Sequence, residues 1–200
     1  MPRKIKRAKQ RFPRRYVADT HIKERPLVFV DLEFSGLAAD NEILQIGAVL
    51  VSQPAFEPIG EFSVRVRPRR LENADPKTLK LIGYTARKWK DAIPLKDALE
   101  QFNAFVDGAV LIGYNVVGDF YQLKKSLHEV GLKPTYHWQV LDVQSMIFAE
   151  LYRSGMDGFR MREVIRYYRL KGGPWHDALA DARATLEIFK KIMHRIEEGR

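Results

Sequence analysis

Apolar and polar positions follow two alternating periods along the chain. Leu27-Val28-Phe29-Val30 is a continuous apolar run that ends in Asp31-Leu32-Glu33. It predicts a buried strand over about 27–33, stopped by the Ser35-Gly36 turn. Beyond the loop Ala38-Ala39-Asp40-Asn41, the run Ile43–Val51 predicts a second strand. Phe62-Ser63-Val64-Arg65-Val66 alternates as a half-exposed third strand does. Short links between the three predict an antiparallel meander. Residues 67–93 are polar and irregular, with short helical pieces expected at 76–82 and 85–89. Pro94 then opens a helix whose apolar face is Leu95, Ala98, Leu99, Phe102 and Phe105. Ala109–Asn115 predicts a fourth strand, followed by a helix over about 119–130 closed by Gly131. Trp138–Val143 predicts a fifth strand, with helices near 144–152 and 159–169. Lys171-Gly172-Gly173-Pro174 breaks the chain before a last helix over about 177–197, apolar at Leu179, Ala182, Leu186, Phe189, Ile192 and Met193. The order βββαβαβ and then helices predicts an α/β fold, a mixed five-stranded sheet flanked by helices.

Composition narrows the class. Two hundred residues at 46% hydrophobic content suit one domain with a sizeable core. Cysteine is absent, so thiolate metal sites and disulfides are excluded, which fits a reducing, cytoplasmic setting. No apolar run approaches the roughly 20 residues of a membrane helix, and the N-terminus lacks the apolar centre of a secretory signal. No membrane partner is expected. The net charge of +9 is unevenly placed. Residues 1–25 hold ten Lys and Arg against Asp19 and Glu24, whereas the remaining residues hold 24 basic and 23 acidic groups. The division expected is a basic, disordered arm over 1–25 and a folded domain over 26–200. Such an arm suits nucleic-acid phosphates. A solvated tail or an import signal are the alternatives.

Three places end buried elements with acids. Side chains alternate along a strand, so Asp31 and Glu33 share one face while Leu32 points into the core. Two carboxylates on one face repel unless a cation sits between them, or they are simply solvated at the strand end. Asp119 follows the fourth strand in Tyr114-Asn115-Val116-Val117-Gly118-Asp119. Alone, it reads as an acid at a helix N-terminus. The third is His176-Asp177-Ala178-Leu179-Ala180-Asp181-Ala182, at the start of the last helix. Ala178, Ala180, Ala182 and Ala184 let that helix approach the sheet closely. An acid on a face pressed toward a sheet needs a partner, although an ordinary helix start with a surface histidine has the same letters. His21, His128, His137 and His194 have no such setting.

Taken together, D-x-E after an apolar strand, Asn-x-x-x-Asp after a later strand and H-x-x-x-x-D on the last helix resemble the DEDDh group of 3′–5′ exonucleases. That family includes the proofreading epsilon subunit of bacterial DNA polymerase, ribonuclease T and oligoribonuclease. The resemblance covers about residues 26–195 and implies a ribonuclease H-like fold. It implies that Asp31, Glu33, Asp119 and Asp181 hold two Mg²⁺ or Mn²⁺ ions and that His176 is the general base. The sister group places a tyrosine four residues before the last Asp; here that position is Asp177, so the histidine type is indicated. The resemblance further implies that Phe34, Ser35, Gly36 and Leu37 pack against the terminal nucleotide, Phe34 or Leu37 by stacking, and that Tyr114 and Asn115 contact substrate. The second motif departs from the family's His-Asn-x-x-Phe-Asp, with Tyr114 for His and Gly118 for Phe. Asp142, on the fifth strand, reads as structural. The implied activity is metal-dependent 3′–5′ exonuclease action on single-stranded DNA or RNA ends, releasing nucleoside 5′-monophosphates. A homodimer or a separate polymerase chain are the expected protein partners. A catalytically silent nucleic-acid-binding or interaction subunit of the same fold is the alternative.

Overall fold

Strand β1 (Leu27–Phe34) runs through the middle of a five-stranded sheet with β2 (Ile43–Val51), β3 (Pro58–Arg65), β4 (Val110–Gly113) and β5 (Val140–Asp142). The computed structural model describes residues 21–36, 38 and 40–199. The strand order is β3-β2-β1-β4-β5. β1 and β2 pair antiparallel, as do β2 and β3, and β4 is parallel to both β1 and β5. All nine residues of β2 are buried, as expected for a strand covered on both faces. β3 at the edge alternates between exposed and half-buried.

Helices α1 (Pro76–Leu81), α2 (Leu95–Phe105), α3 (Val117–Glu129), α4 (Val143–Leu151), α5 (Met161–Tyr167) and α6 (Ala178–Glu197) complete the described chain, with short 3-10 turns at Ile22–Glu24 and Leu71–Asn73. The period of two along β1 decides which helices cover which face. Val28, Val30 and Leu32 pack with Ala98, Leu99 and Phe102 of α2 and Leu123 and Leu127 of α3. Leu27 and Phe29 pack with Ile147 of α4, Val164 of α5 and Ala182, Leu186 and Phe189 of α6. The result is a helix–sheet–helix sandwich in the expected α/β class.

Two expectations change. Residues 85–89 form a turn instead of a helix. Thr85 accepts the Lys88 N–H on its Oγ1 at 3.1 Å, and the Trp89 indole donates to the Leu44 carbonyl at 3.1 Å. Ile93 then bridges to Val66, which pulls the chain back to the sheet before a helix can propagate. The folded body also begins earlier than residue 26. Arg25 is buried, its Nη1 donates to the Gly108 carbonyl at 3.1 Å, and Gln53 Nε2 donates to the carbonyls of Ile22 and Arg25 at 2.9 and 2.6 Å. The rest of the basic arm, residues 1–20, lies outside the described residues. Among the described residues, no helix is long and apolar enough to cross a membrane.

Candidate active site

The site forms where β1 outruns β4. The β1–β4 pairing covers Leu27, Val28 and Phe29 only. Past it the β4-side edge of β1 needs other partners. Leu32 N–H finds one in Asp119 Oδ1, at 3.0 Å. This bond ties the first turn of α3 to the strand that carries Asp31 and Glu33. Asp119 is buried, unlike an ordinary solvated acid at a helix start.

The α6 side is built by a missing side chain. Asp31 pairs across the sheet with Gly47. A Cβ at Gly47 would lie 2.1 Å from the Ala178 carbonyl carbon and the Leu179 nitrogen. Glycine at 47 therefore lets the first turn of α6 rest directly on the sheet, and buried Ala178 and Ala182 complete the close fit. Asp177 caps α6 by accepting the Ala180 N–H at 3.1 Å and is held by Gln45 Nε2 at 3.3 Å. Asp181, in the first turn, accepts the His176 N–H at 3.1 Å. His176 has φ of 59°, a left-handed conformation uncommon for residues other than glycine.

Asp31, Glu33, Asp119 and Asp181, from three elements, lie close enough for their charges to act on one another. One ligand atom each from Glu33, His176 and Asp181 lie within 4.8 Å of one another. Asp31 keeps a little solvent-facing surface, yet its carboxyl is held well above the ordinary range, first by burial and then by Asp119, Glu33, Asp181 and Asp177. Glu33 is pushed up to about 8 by burial and then by Asp181, Asp119 and Asp177. Asp119 rises to about 7 through burial, against the pull of the Leu32 hydrogen bond. Asp181 rises to about 6, again chiefly by burial, with the His176 N–H and the charge of Arg162 opposing. The His176 ring is held below its usual value by burial and then by Arg162. None of the four acids forms an ion pair with a described residue. Desolvated carboxylates that repel one another and form no ion pair fit hard divalent cations, which take oxygen ligands.

The turn after β1 is firmly closed. Ser35 is buried, and its Oγ accepts the Glu42 N–H at 2.8 Å. Its backbone N–H and carbonyl pair with Glu42 and Asp75. The Gly36 carbonyl accepts from Asn41 Nδ2 at 2.7 Å, and the Asn41 carbonyl accepts from Gln122 and Lys125 of α3. The Ser35 hydroxyl is therefore engaged in closing the turn. Phe34 is half-buried against the α2–α3 core. Leu37 lies outside the described residues. Tyr114 is half-buried, and its hydroxyl donates to the Phe159 carbonyl. Asn115 is exposed with φ of 58°. Asp142 accepts the N–H groups of Asn115 and Val116 at 2.7 and 3.3 Å and caps α4 through Ser145, a structural role. Sequence reasoning missed Gly47, Arg162 and Trp175; a glycine inside an otherwise apolar strand was the available signal for the first.

A family model named RNase_T and described as an exonuclease matches residues 28–189. This chain belongs to the exonuclease family. Among curated relatives of this exonuclease, the PolC-type DNA polymerase III of Caldanaerobacter subterraneus is 30% identical over 176 residues, covering 88% of this chain and 12% of the polymerase. The 3′-5′ exonuclease DinG of Bacillus subtilis is 24% identical over 182 residues, covering 88% of this chain and 18% of DinG. The chain thus spans less than a fifth of either relative's length. Exonuclease I of Escherichia coli, solved in complex with a dT13 oligonucleotide, superposes with a TM-score of 0.75 at 19% identity, covering 87% of this chain and 42% of that one. That likeness shows the fold, which is ribonuclease H-like as the resemblance implied. The domain is a nuclease of a family that uses divalent metal ions, and its acids fit such ions.

Proposed function

We propose that this exonuclease domain removes nucleotides from single-stranded 3′ ends and releases nucleoside 5′-monophosphates. The observation that carries the reading is the convergence of Asp31, Glu33, Asp119 and Asp181, whose carboxyls are all raised chiefly by burial and form no ion pair with a described residue. These four would hold two Mg²⁺ or Mn²⁺ ions. When bound, such a pair supplies a positive clamp on the attacking and leaving oxygens of an in-line phosphoryl displacement. His176 accepts the proton of the attacking water as its oxygen adds to the terminal phosphorus. The bond to the neighbouring 3′ oxygen breaks and that oxygen takes a proton from solvent, giving a nucleoside 5′-monophosphate and a chain with a new 3′ hydroxyl. The lowered basicity of His176 keeps the imidazole neutral and able to accept at neutral pH. Phe34, Gly36 and Asn115 line the approach of the terminal nucleotide. Ser35 and Tyr114 support it through the turn and through Phe159. The basic arm adds affinity through phosphates, so deleting residues 1–20 weakens oligonucleotide binding and flattens its salt dependence.

The test is a time course on 5′-labelled single-stranded DNA and RNA of one sequence, with Mg²⁺ or Mn²⁺, comparing the wild type with Asp31→Ala and His176→Ala. The expected result is a ladder shrinking from the 3′ end, abolished by chelation and by Asp31→Ala. His176→Ala lowers the rate by roughly 10²–10⁴. A folded wild-type protein that binds both strands and shortens neither would leave a silent nucleic-acid-binding module instead.

A further inference from the structure

Arg162, in the first turn of α5, places its guanidinium 4.9 Å from the centre of the Trp175 ring. Its Nη2 lies 3.3 Å from His176 Nε2. Arginine has no acceptor, so Nε2 accepts and the proton of the neutral ring sits on Nδ1. The lone pair at Nε2 is thereby occupied, and a base cannot take a proton with a lone pair that an arginine N–H already holds. Among the described residues Arg162 forms no ion pair with a carboxylate, although its charge acts on the Asp181 carboxyl from beyond that distance. A guanidinium presents five donors in a planar fork that matches phosphate oxygens. Here one donor meets an imidazole and one face meets an indole, on an exposed side chain. It adjoins the Glu33–His176–Asp181 cluster, where a scissile phosphodiester must come.

We propose that Arg162 is a phosphate-binding latch. In the substrate-free protein it holds His176 Nε2; as a nucleic-acid chain arrives it passes to a non-bridging phosphate oxygen and frees Nε2 to act as the base. Trp175 serves both positions as a platform, since stacking fixes the plane of the guanidinium and reduces the side-chain freedom lost on binding. The latch rests on the exonuclease reading with His176 as base. It goes beyond that reading by adding a residue that recognises phosphate and couples its arrival to the base.

The test compares the wild-type chain with Arg162→Gln, Arg162→Lys and Trp175→Leu. Binding of a fluorescent single-stranded oligothymidylate in Ca²⁺ is followed by anisotropy across a salt series. Arg162→Gln is expected to weaken binding about tenfold and to reduce the log–log salt slope by about 0.7, the value for one phosphate contact on a single strand. Arg162→Lys keeps the slope with weaker binding, and Trp175→Leu weakens binding about threefold. Without oligonucleotide, diethyl pyrocarbonate modifies His176 faster in Arg162→Gln than in the wild type, read by peptide mass spectrometry. Wild-type affinity and slope in Arg162→Gln, in a chain that binds and shortens oligonucleotides, would overturn the latch alone and leave Arg162 as a prop for His176. A wild type that neither binds nor shortens them would overturn the exonuclease reading and the latch with it.

Discussion

Helices α3 and α6 both start beside β1, and each carries an aspartate in its first turn, Asp119 and Asp181. The similarity ends there. α6 is capped by Asp177 and reaches the site because Gly47 leaves room for its backbone. α3 has no side-chain cap and reaches the site through a hydrogen bond from the unpaired edge of β1 to Asp119 itself. One acid is placed by packing and the other by polar satisfaction of a strand that outruns its neighbour. Acids proposed to share one metal cluster can thus be delivered by unrelated forces, and each delivery should fail in its own way.

The largest effect is expected on the packed side. Gly47→Val forces a side chain into the Ala178–Leu179 backbone. It should cost roughly 3 kcal/mol, lowering Tm by about 6–12 °C, and should displace Asp181 enough to abolish activity. Thermal melts and the labelled-strand assay check both. A wild-type Tm would show that α6 does not depend on that gap.

The two sides are next separated by pH. Without divalent ions, the acids hold protons in the folded chain at pH values where the unfolded chain has released them. Stability should therefore fall as pH rises from about 4 toward 8, the window set by Glu33 at about 8, Asp119 at about 7 and Asp181 at about 6. Asp119→Asn should flatten the curve more than Asp181→Asn, because the Asp119 shift is the larger. Saturating Mg²⁺ should raise Tm most at the alkaline end. Melts in chelator and in Mg²⁺ across this range test the order.

The same contrast explains what was legible in the sequence. The three acid-bearing motifs and five strands follow from local period and spacing, so β1, α6 and the order of elements could be read directly. The small residues of α6 signalled close approach, but the position that permits it, Gly47, lies 131 residues earlier and becomes meaningful only through strand register. Arg162 and Trp175 are unremarkable letters in a basic stretch until the chain after α5 folds His176 against them. Ser35 belongs to the turn expected to pack against substrate, and that its hydroxyl also closes the turn by accepting the Glu42 N–H becomes visible only in the fold. The 85–89 segment has helical letters, but Trp89 and Ile93 tie it to the sheet instead. Local pattern decides the elements, while long-range contacts decide which polar atoms remain available.

Smaller effects sharpen the capping difference. Asp177→Ala removes the α6 cap and should cost about 1 kcal/mol, a Tm loss of about 2–4 °C. α3 has no cap to lose, but it carries Gly118, where an added Cβ meets nothing within 4 Å. Gly118→Ala should therefore stabilise by about 0.4–1 kcal/mol. Opposite signs in the two melts support the contrast; a loss at both would show that α3 is as tightly packed as α6.

Calorimetric titration of Mn²⁺ into the wild type, Asp119→Asn and Asp181→Asn tests most directly whether the two helices serve one metal cluster. The residues lie 62 positions apart on helices that cover opposite faces of the sheet. Both substitutions are expected to weaken Mn²⁺ binding at least about tenfold, in proteins that melt cooperatively. Wild-type affinity and stoichiometry in either folded variant would contradict a shared site.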